Sequence, residues 1–285
     1  MERIIKKYNV IGDDLFYHHT LSDGNGDVYK IDPEVHTQYE IYYLISGKIS
    51  YVIEGKTYDP APGDIIIVAP NEVHALRIDG RTPYERAVLL FDIGLLRELL
   101  LKIGISDEEF LFGKEGGLHI ISGKTVEKYR LGEALIAVTE ADGDERYRKL
   151  VTVARILEFL ARLDEMARCD GMMQTPPTSE DELIKRAVAY VDLHIGERIT
   201  LDDMAAALFV SKSTLCHRFS RYMGISINKY VNVRKIHRAH TLMRRGLTAS
   251  EAASRVGFDN YAAFFYNYKS ITGSIPKDIK RQIKP

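Results

Sequence analysis

Hydrophobic and polar positions change their period along this chain, and the changes divide it into three stretches. From Tyr39 to Asp92 the pattern is that of β-strands. Ile41-Tyr42-Tyr43-Leu44-Ile45 is a run of β-branched and aromatic residues, and after Gly47 the residues Ile49, Tyr51 and Ile53 alternate with Ser50, Val52 and Glu54. Glu54-Gly55 predicts a hairpin turn before a short strand near Tyr58. Pro62-Gly63-Asp64 predicts another before Ile65–Val68, and Pro70-Asn71-Glu72 a third, with a further strand at Ala87–Phe91. Short strands at this spacing predict a sandwich or small barrel.

From Thr125 to Ala167 the period becomes helical. Leu150, Val153, Leu157, Leu160 and Leu163 fall three or four apart, after a shorter helical stretch at Tyr129–Val138 and a break at Asp142-Gly143-Asp144. Two uses fit such helices equally: an interface between two copies of the chain, or a cover for the barrel. Cys169-Asp170-Gly171 through Pro176-Pro177-Thr178-Ser179 has the composition of a linker.

Beyond the linker the pattern is helical and repeats itself. Thr200-Leu201-Asp202-Asp203 reads as a capped helix start, and Thr248-Ala249-Ser250-Glu251 repeats it as a capping box. Ala205 answers to Ala253 and Leu208 to Val256. The following helices match at an offset one residue greater: Leu215 with Phe264, Phe219 with Tyr268, Gly224 with Gly273. The extra residue predicts a longer turn in the second copy, at Gly257-Phe258-Asp259-Asn260. Each copy is a short helix, a tight turn and a second helix with a large apolar pair at i and i+4, the plan of a helix-turn-helix.

Charge sharpens this picture. The 285 residues carry a net −1, yet Asp181–Pro285 holds 18 Lys and Arg against 9 Asp and Glu, leaving 21 against 31 for the rest. No acid lies between Met204 and Arg245, where Lys212, Arg218, Arg221, Lys229, Arg234, Lys235, Arg238, Arg244 and Arg245 accumulate. One half of the chain suits a polyanion and the other does not. On the first reading helix the outward residues are Lys212, Ser213, Cys216, His217 and Ser220. Lys212, Ser213, Cys216 and His217 are expected at base edges, and Arg218 and Arg221 at phosphates. Two such helices on a rigid connection would enter successive major grooves about 34 Å apart. Two cysteines in different regions give neither a disulfide framework nor a paired-cysteine zinc site, which suits a reducing cytosol. No apolar run predicts a signal peptide or a membrane span, so the expected location is the cytoplasm.

From about Glu182 to Arg281 the sequence resembles the AraC family of transcription regulators. The resemblance rests on Ile199-Thr200-Leu201, Val210-Ser211, Leu215, Phe219, Gly224, Tyr230, Arg234, Ala239, Leu242, Ala252-Ala253, Val256-Gly257-Phe258, Phe264, Tyr268-Lys269, Thr272-Gly273 and Pro276. It implies double-stranded DNA as partner, RNA polymerase as a second partner if the protein activates, a homodimer, and no catalysis. The second reading helix departs from the family pattern: Tyr266 stands where members commonly have Arg. Tyr261, Ala262, Phe265 and Tyr266 are its expected base-contacting residues, with Lys269 on phosphate. These side chains offer methyl and hydroxyl contacts but no bidentate guanine contact, so the first unit is expected to carry most of the sequence specificity.

His36-Thr37-Gln38-Tyr39-Glu40, Gly47, Pro62-Gly63-Asp64 and Pro70–His74 resemble the cupin barrel that precedes the DNA-binding domain in many such regulators. By strand parity His36, Gln38, Glu40, Tyr42 and Leu44 share a face that points inward. The resemblance implies a small-molecule effector, a sugar or related polar metabolite, held by His36, Glu40, Tyr42 and His74 without metal or other cofactor. The alternative is a metal-dependent cupin enzyme or metal sensor, in which Glu34 joins His36, Glu40 and His74 around a divalent ion. A third reading has His36 and His74 satisfying only each other or the backbone. The expected organisation is multidomain α+β: a cupin-like β-barrel with a helical appendage (1–168), a linker (169–181) and an all-α tandem helix-turn-helix domain (182–285).

Overall fold

The alternating stretch forms two antiparallel sheets. A computed structural model describes residues 2–11, 15–24, 28–30, 33–36, 38–70, 72–92, 100–105, 120–139, 143–170, 179–244, 246–272 and 275–276. Its strands are β1 (Glu2–Ile11), β2 (Leu15–Ser22), β3 (Val28–Lys30), β4 (Tyr39–Ser46), β5 (Ile49–Ile53), β6 (Lys56–Tyr58), β7 (Ile65–Val68), β8 (His74–Asp79), β9 (Tyr84–Phe91), β10 (Ile120–Ile121) and β11 (Ser179–Glu180). The larger sheet runs β1-β2-β9-β4-β7-β10 and the smaller β11-β6-β5-β8-β3. β5 is buried at alternate positions, as its sequence predicts. Between the sheets lie Tyr42, Leu44, Tyr51, Ile53, Val68, Leu76 and Val88.

The outer face of the larger sheet is covered by helices α1 (Gly123–Lys128), α2 (Leu131–Ile136) and α3 (Glu145–Cys169). Ile41, Ile65, Ile67 and Leu89 pack there against Leu131, Leu135, Phe159 and Leu163. With apolar neighbours on both faces, β7 is buried at every position, which is why its sequence is a continuous apolar run. α3 buries only part of the predicted stripe, with Val153 packed against this core. Leu160 and Leu163 are buried, but Leu150 is 62 % exposed and Leu157 37 %, while Thr152, Ile156 and Phe159 face the sheet. Its first six residues, Glu145 to Leu150, are all exposed.

The second half is helical: α4 (Glu182–Leu193), α5 (Leu201–Ala207), α6 (Lys212–Met223), α7 (Ile227–Arg244), α8 (Ala249–Arg255) and α9 (Tyr261–Thr272). The predicted starts at Thr200 and Thr248 are made as caps, and Ser211 caps α6 as well. Thr200 Oγ1 accepts from Asp203 N at 3.1 Å, Ser211 Oγ from Thr214 N at 3.1 Å, and Thr248 with Glu251 closes a full capping box. The second turn is indeed one residue longer, 256–260 against 208–211. Two cores result. The first joins α4, α5, α6 and the start of α7 around Leu215, Phe219 and Tyr230. The second joins the rest of α7 to α8 and α9 around Phe264 and Tyr268. Removing either phenylalanine to Ala is worth about 3–5 kcal/mol on general grounds.

The two halves touch. Val35 and Val73 of the β half pack into the first helical core. Ile184 Cγ2 and Met223 Sδ lie so close to Gly55 that a Cβ there would stand 2.7 and 3.3 Å from them, and Pro33 would meet a Cβ on Gly224 at 2.6 Å. β11 adds to the edge of the smaller sheet, pairing Ser179 with Thr57 and Glu180 with Lys56.

Candidate functional site

Three side chains converge at the edge of the β half. Glu40 enters from β4, His74 opens β8, and His36 precedes β4 on a segment tied to β8 by the Glu34–His74 backbone pair. His36 Nε2 lies 3.2 Å and His74 Nε2 3.6 Å from the same oxygen, Glu40 Oε2. The imidazole rings meet edge-on at 4.9 Å. The other Glu40 oxygen accepts from Tyr51 Oη at 2.6 Å.

The second nitrogen of each ring fixes what the first can do. His36 Nδ1 donates to the Gln38 carbonyl at 2.9 Å and His74 Nδ1 to the Glu72 carbonyl at 3.0 Å. A neutral imidazole held this way turns a lone pair, not a proton, toward Glu40. Two lone pairs and a carboxylate oxygen therefore face one another in a buried place, and His74 Nε2 has no hydrogen-bond partner among the described residues. Without a ligand a proton must fill that role. Burial opposes charge on His74, but the Glu40 carboxylate outweighs it and raises the His74 pKa above 6.5. Burial likewise works against the Glu40 anion, and the adjoining His36 and His74 rings hold it far below the usual carboxylate range. Any ligand that replaces the proton must bring donors or positive charge.

The donor set also fits a divalent cation. His36, Glu40 and His74 each offer an atom within 4.8 Å of the others. Bonds of about 2.0–2.1 Å to a tetrahedral ion put neighbouring ligand atoms about 3.3 Å apart, close to the 3.2 and 3.6 Å from the two imidazole nitrogens to Glu40 Oε2. Backbone carbonyls on both Nδ1 atoms are the outer partners that metal-binding histidines use. Glu34 does not join: its side chain is exposed and outside the converging group, which corrects the four-ligand set read from the sequence. Tyr42 is buried deeper between the sheets, edge-on to Tyr51 at 5.5 Å. Tyr51, which sequence reading took only as an alternating strand residue, is the hydroxyl that reaches Glu40.

The site lies against the helical half. Val35 and Val73, the residues before His36 and His74, both pack into the first helical core. Beside them Glu54, at φ +47 in the β5–β6 turn, accepts from Val73 N at 2.7 Å and from Tyr230 Oη of α7 at 2.5 Å, with Arg234 Nη1 3.6 Å away. Arg234 also binds Asp192 of α4. One turn on, His237 is 3 % exposed with neither ring nitrogen hydrogen-bonded among the described residues. Burial, then the charges of His240, His36 and Arg234, push its pKa down to about 3, so it is neutral. Nothing in the local sequence of Glu54-Gly55 distinguishes this clamp from an ordinary hairpin turn.

The proposed reading faces point to solvent. On α6, Lys212, Ser213, His217, Arg218, Ser220 and Arg221 are exposed and Cys216 half-buried. Lys212 pairs with Asp202 at 2.9 Å and Arg218 with Asp181 at 2.6 Å, so both cations must exchange these partners to meet DNA. On α9, Tyr261, Ala262 and Lys269 are exposed, Tyr266 is 73 % exposed, and Phe265 is half-buried. Phe264 and Tyr268 are buried, as the i, i+4 pattern predicts. Arg245 lies outside the described residues. No helix among the described residues is long and apolar enough to cross a membrane.

Comparison with known proteins adds independent observations. Residues 16–147 match the family profile of the AraC-like ligand binding domain, and residues 204–282 that of a helix-turn-helix domain. The HTH-type transcriptional regulator YbfI of Bacillus subtilis is 24 % identical over 243 residues, covering 82 % of each chain. The Msm operon regulatory protein of Streptococcus mutans is 22 % identical over 282 residues, 99 % of this chain and 98 % of that one. Among solved structures, ToxT from Vibrio cholerae aligns over 95 % of this chain and 99 % of its own at 13 % identity, with a TM-score of 0.39.

Proposed function

The chain belongs to the AraC family of DNA-binding transcription regulators and carries its ligand-binding domain ahead of the helix-turn-helix region; from that premise we propose that the effector binds at His36, Glu40 and His74 and acts on DNA binding through α7. The observation that carries this reading is the convergence of three acceptors at a place whose backbone neighbours, Val35 and Val73, sit in the core of the first helix-turn-helix unit. A ligand rich in hydroxyl donors, a sugar or related polyol, answers the two imidazole lone pairs and the carboxylate. Tyr51 orients Glu40 for it, and Tyr42 lies deeper on the same face.

Binding draws His36 and His74 toward the ligand. The Glu72–His74 segment carries Val73, whose N–H is held by Glu54, and Glu54 in turn holds Tyr230 and Arg234. The route from ligand to α7 is therefore a short chain of direct contacts. This role for the β half is binding and transmission, not turnover. The units proposed from the sequence are an effector-binding and dimerisation domain at 1–168, a linker at 169–181 and a DNA-binding domain at 182–285, in a cytoplasmic homodimer. The exposed first turns of α3, with Tyr147 and Leu150, are the proposed contact between copies, and RNA polymerase is the further partner if the protein activates.

A second reading is favoured by the spacing of the ligand atoms: the effector is a divalent cation held by the same three side chains, leaving an open position for water or a small anion. Calorimetric titration with a panel of sugars and polyols, and separately with Zn²⁺, Ni²⁺ and Mn²⁺, distinguishes the two. The polyol reading expects saturable binding of one sugar that His74→Ala abolishes, with metal-free protein competent. Binding of metals alone transfers the site to the second reading, and binding unaffected by His74→Ala refutes both.

A further inference from the structure

The two helix-turn-helix units have separate apolar cores, and the boundary between them falls within α7. The first core ends at Val233 and the second begins at Ile236, with Ile271 of α9 touching both at their margins. Between these two positions stands Lys235. It is only 5 % exposed, an unusual place for a lysine. Its Nζ donates to the Glu197 carbonyl at 2.7 Å and to the Gly257 carbonyl at 2.7 Å. Glu197 lies in the α4–α5 loop of the first unit, and Gly257 in the α8–α9 turn of the second. The same ammonium lies 5.6 Å from the centre of the Phe258 ring.

The surfaces on either side of this contact are shaped for close approach. A Cβ on Gly257 would stand 2.5 Å from the Glu197 oxygen and 3.0 Å from that of Gly196, and its φ of +68° already favours glycine. A Cβ on Gly196 would sit 3.3 Å from the Arg255 carbonyl. Farther out, Arg198 approaches Asp259 at 3.9 Å across the same seam.

We propose that Lys235 is a positioning residue for DNA reading: it clips the second helix-turn-helix unit to the first and so fixes the spacing at which α6 and α9 meet successive major grooves. It touches no DNA. α7 alone is one continuous helix on which either unit can rock about its own core, because the apolar cores meet only at the Ile271 margin. A buried cation with a carbonyl acceptor from each unit restrains that freedom, since moving the units apart breaks both of its hydrogen bonds. A gain or loss of one base pair moves a half-site by about a tenth of the roughly 34–36 Å helical repeat and turns it around the axis. A rigid joint rejects such a change and a loose one tolerates it.

The inference rests on the DNA-binding reading and is tested with the full-length chain on duplexes selected from a random library. The two-part duplex, its one-base-pair insertion, and a duplex bearing only the α6 half-site are titrated with wild type and Lys235→Met. The half-site affinity is expected to stay within about twofold, while affinity for the two-part duplex falls about tenfold, equivalent to roughly 1.4 kcal/mol of lost pre-organisation. The penalty for the inserted base pair shrinks. Unchanged two-part affinity and insertion penalty would overturn the inference, as would an equal loss on the half-site, which marks support of the fold instead. If Lys235→Met does not fold, Gly257→Ala opens the seam from the opposite side and is held to the same outcomes. A wild-type protein that selects no two-part sequence removes the DNA reading itself, a failure distinct from a two-part sequence read equally well by the variant.

Discussion

Tyr230→Phe removes one oxygen atom and nothing else from the contact between the two halves of the protein. The ring is fully buried and meets Phe219 edge-on at 5.4 Å, a contact that phenylalanine keeps. What is lost is the hydroxyl that donates to Glu54 Oε2 at 2.5 Å. A hydrogen bond to a charged group contributes about 1.5–3 kcal/mol, and the lower part of that range applies because Val73 N and Arg234 remain beside the carboxylate. A loss of about 2 kcal/mol lowers the melting temperature by about 4 °C in a chain of this size. Glu54→Gln keeps the shape and the acceptor for Val73 N but removes the charge that Tyr230 and Arg234 share. The assay is a double-mutant cycle of Tyr230→Phe and Glu54→Gln by urea denaturation. The expected coupling is about 1–2 kcal/mol, with the double variant scarcely worse than the poorer single one. Additivity within about 0.3–0.5 kcal/mol would mean that the hydroxyl and the carboxylate do not act together, and the route from the proposed effector site to α7 would lose its middle link.

Three further outcomes are expected. The pKa of His74 is raised in the folded, ligand-free protein, so its contribution to stability is fully present below about pH 6.5 and lost as pH rises through the folded value; urea denaturation should show the advantage of wild type over His74→Gln shrinking between pH 6 and 8.5, and an advantage that grows would contradict the charge assignment. Gly224→Ala drives a Cβ to within 2.6 Å of Pro33 Cγ at φ +74°, whereas Gly246→Ala at φ +102° meets nothing within 4 Å; both melt lower, and Gly224→Ala should cost about 1–2 kcal/mol more because only it disturbs the contact between the halves. Arg221→Ala on the exposed face of α6 should reduce the slope of log affinity against log salt by about one without changing the selected sequence, and an altered sequence would move Arg221 from phosphate to bases.

The tandem helical units were legible in the sequence because their signals are local. Caps at Thr200 and Thr248, the pairs Leu215 with Phe219 and Phe264 with Tyr268, and the one-residue difference in turn length each depend on residues close together in the chain. His36 and Glu40 were legible through strand parity, which fixes the face a side chain takes, and His74 through the resemblance to a cupin barrel. Parity does not say which side chain across the sheet it meets, and so Tyr51 was read only as an alternating strand residue although its hydroxyl reaches Glu40. Glu34 was read as a fourth ligand from the same resemblance, but its side chain is exposed and stays outside the converging group. The stripe on α3 left its use open because its period does not say which part is covered: Val153, Leu160 and Leu163 pack on the sheet's core while Leu150 and Leu157 stay exposed. Glu54 and Lys235 act between parts of the fold far apart in sequence, and no local pattern announces them.

The account stands most directly on what the full-length protein selects from random duplex DNA at moderate salt. It predicts a recovered sequence in two blocks about one helical turn apart, with the α6 block the more stringent. Binding that is lost with salt but selects no sequence would contradict it, leaving the basic half as a general anchor for polyanions and the three converging side chains without a DNA-reading partner to control.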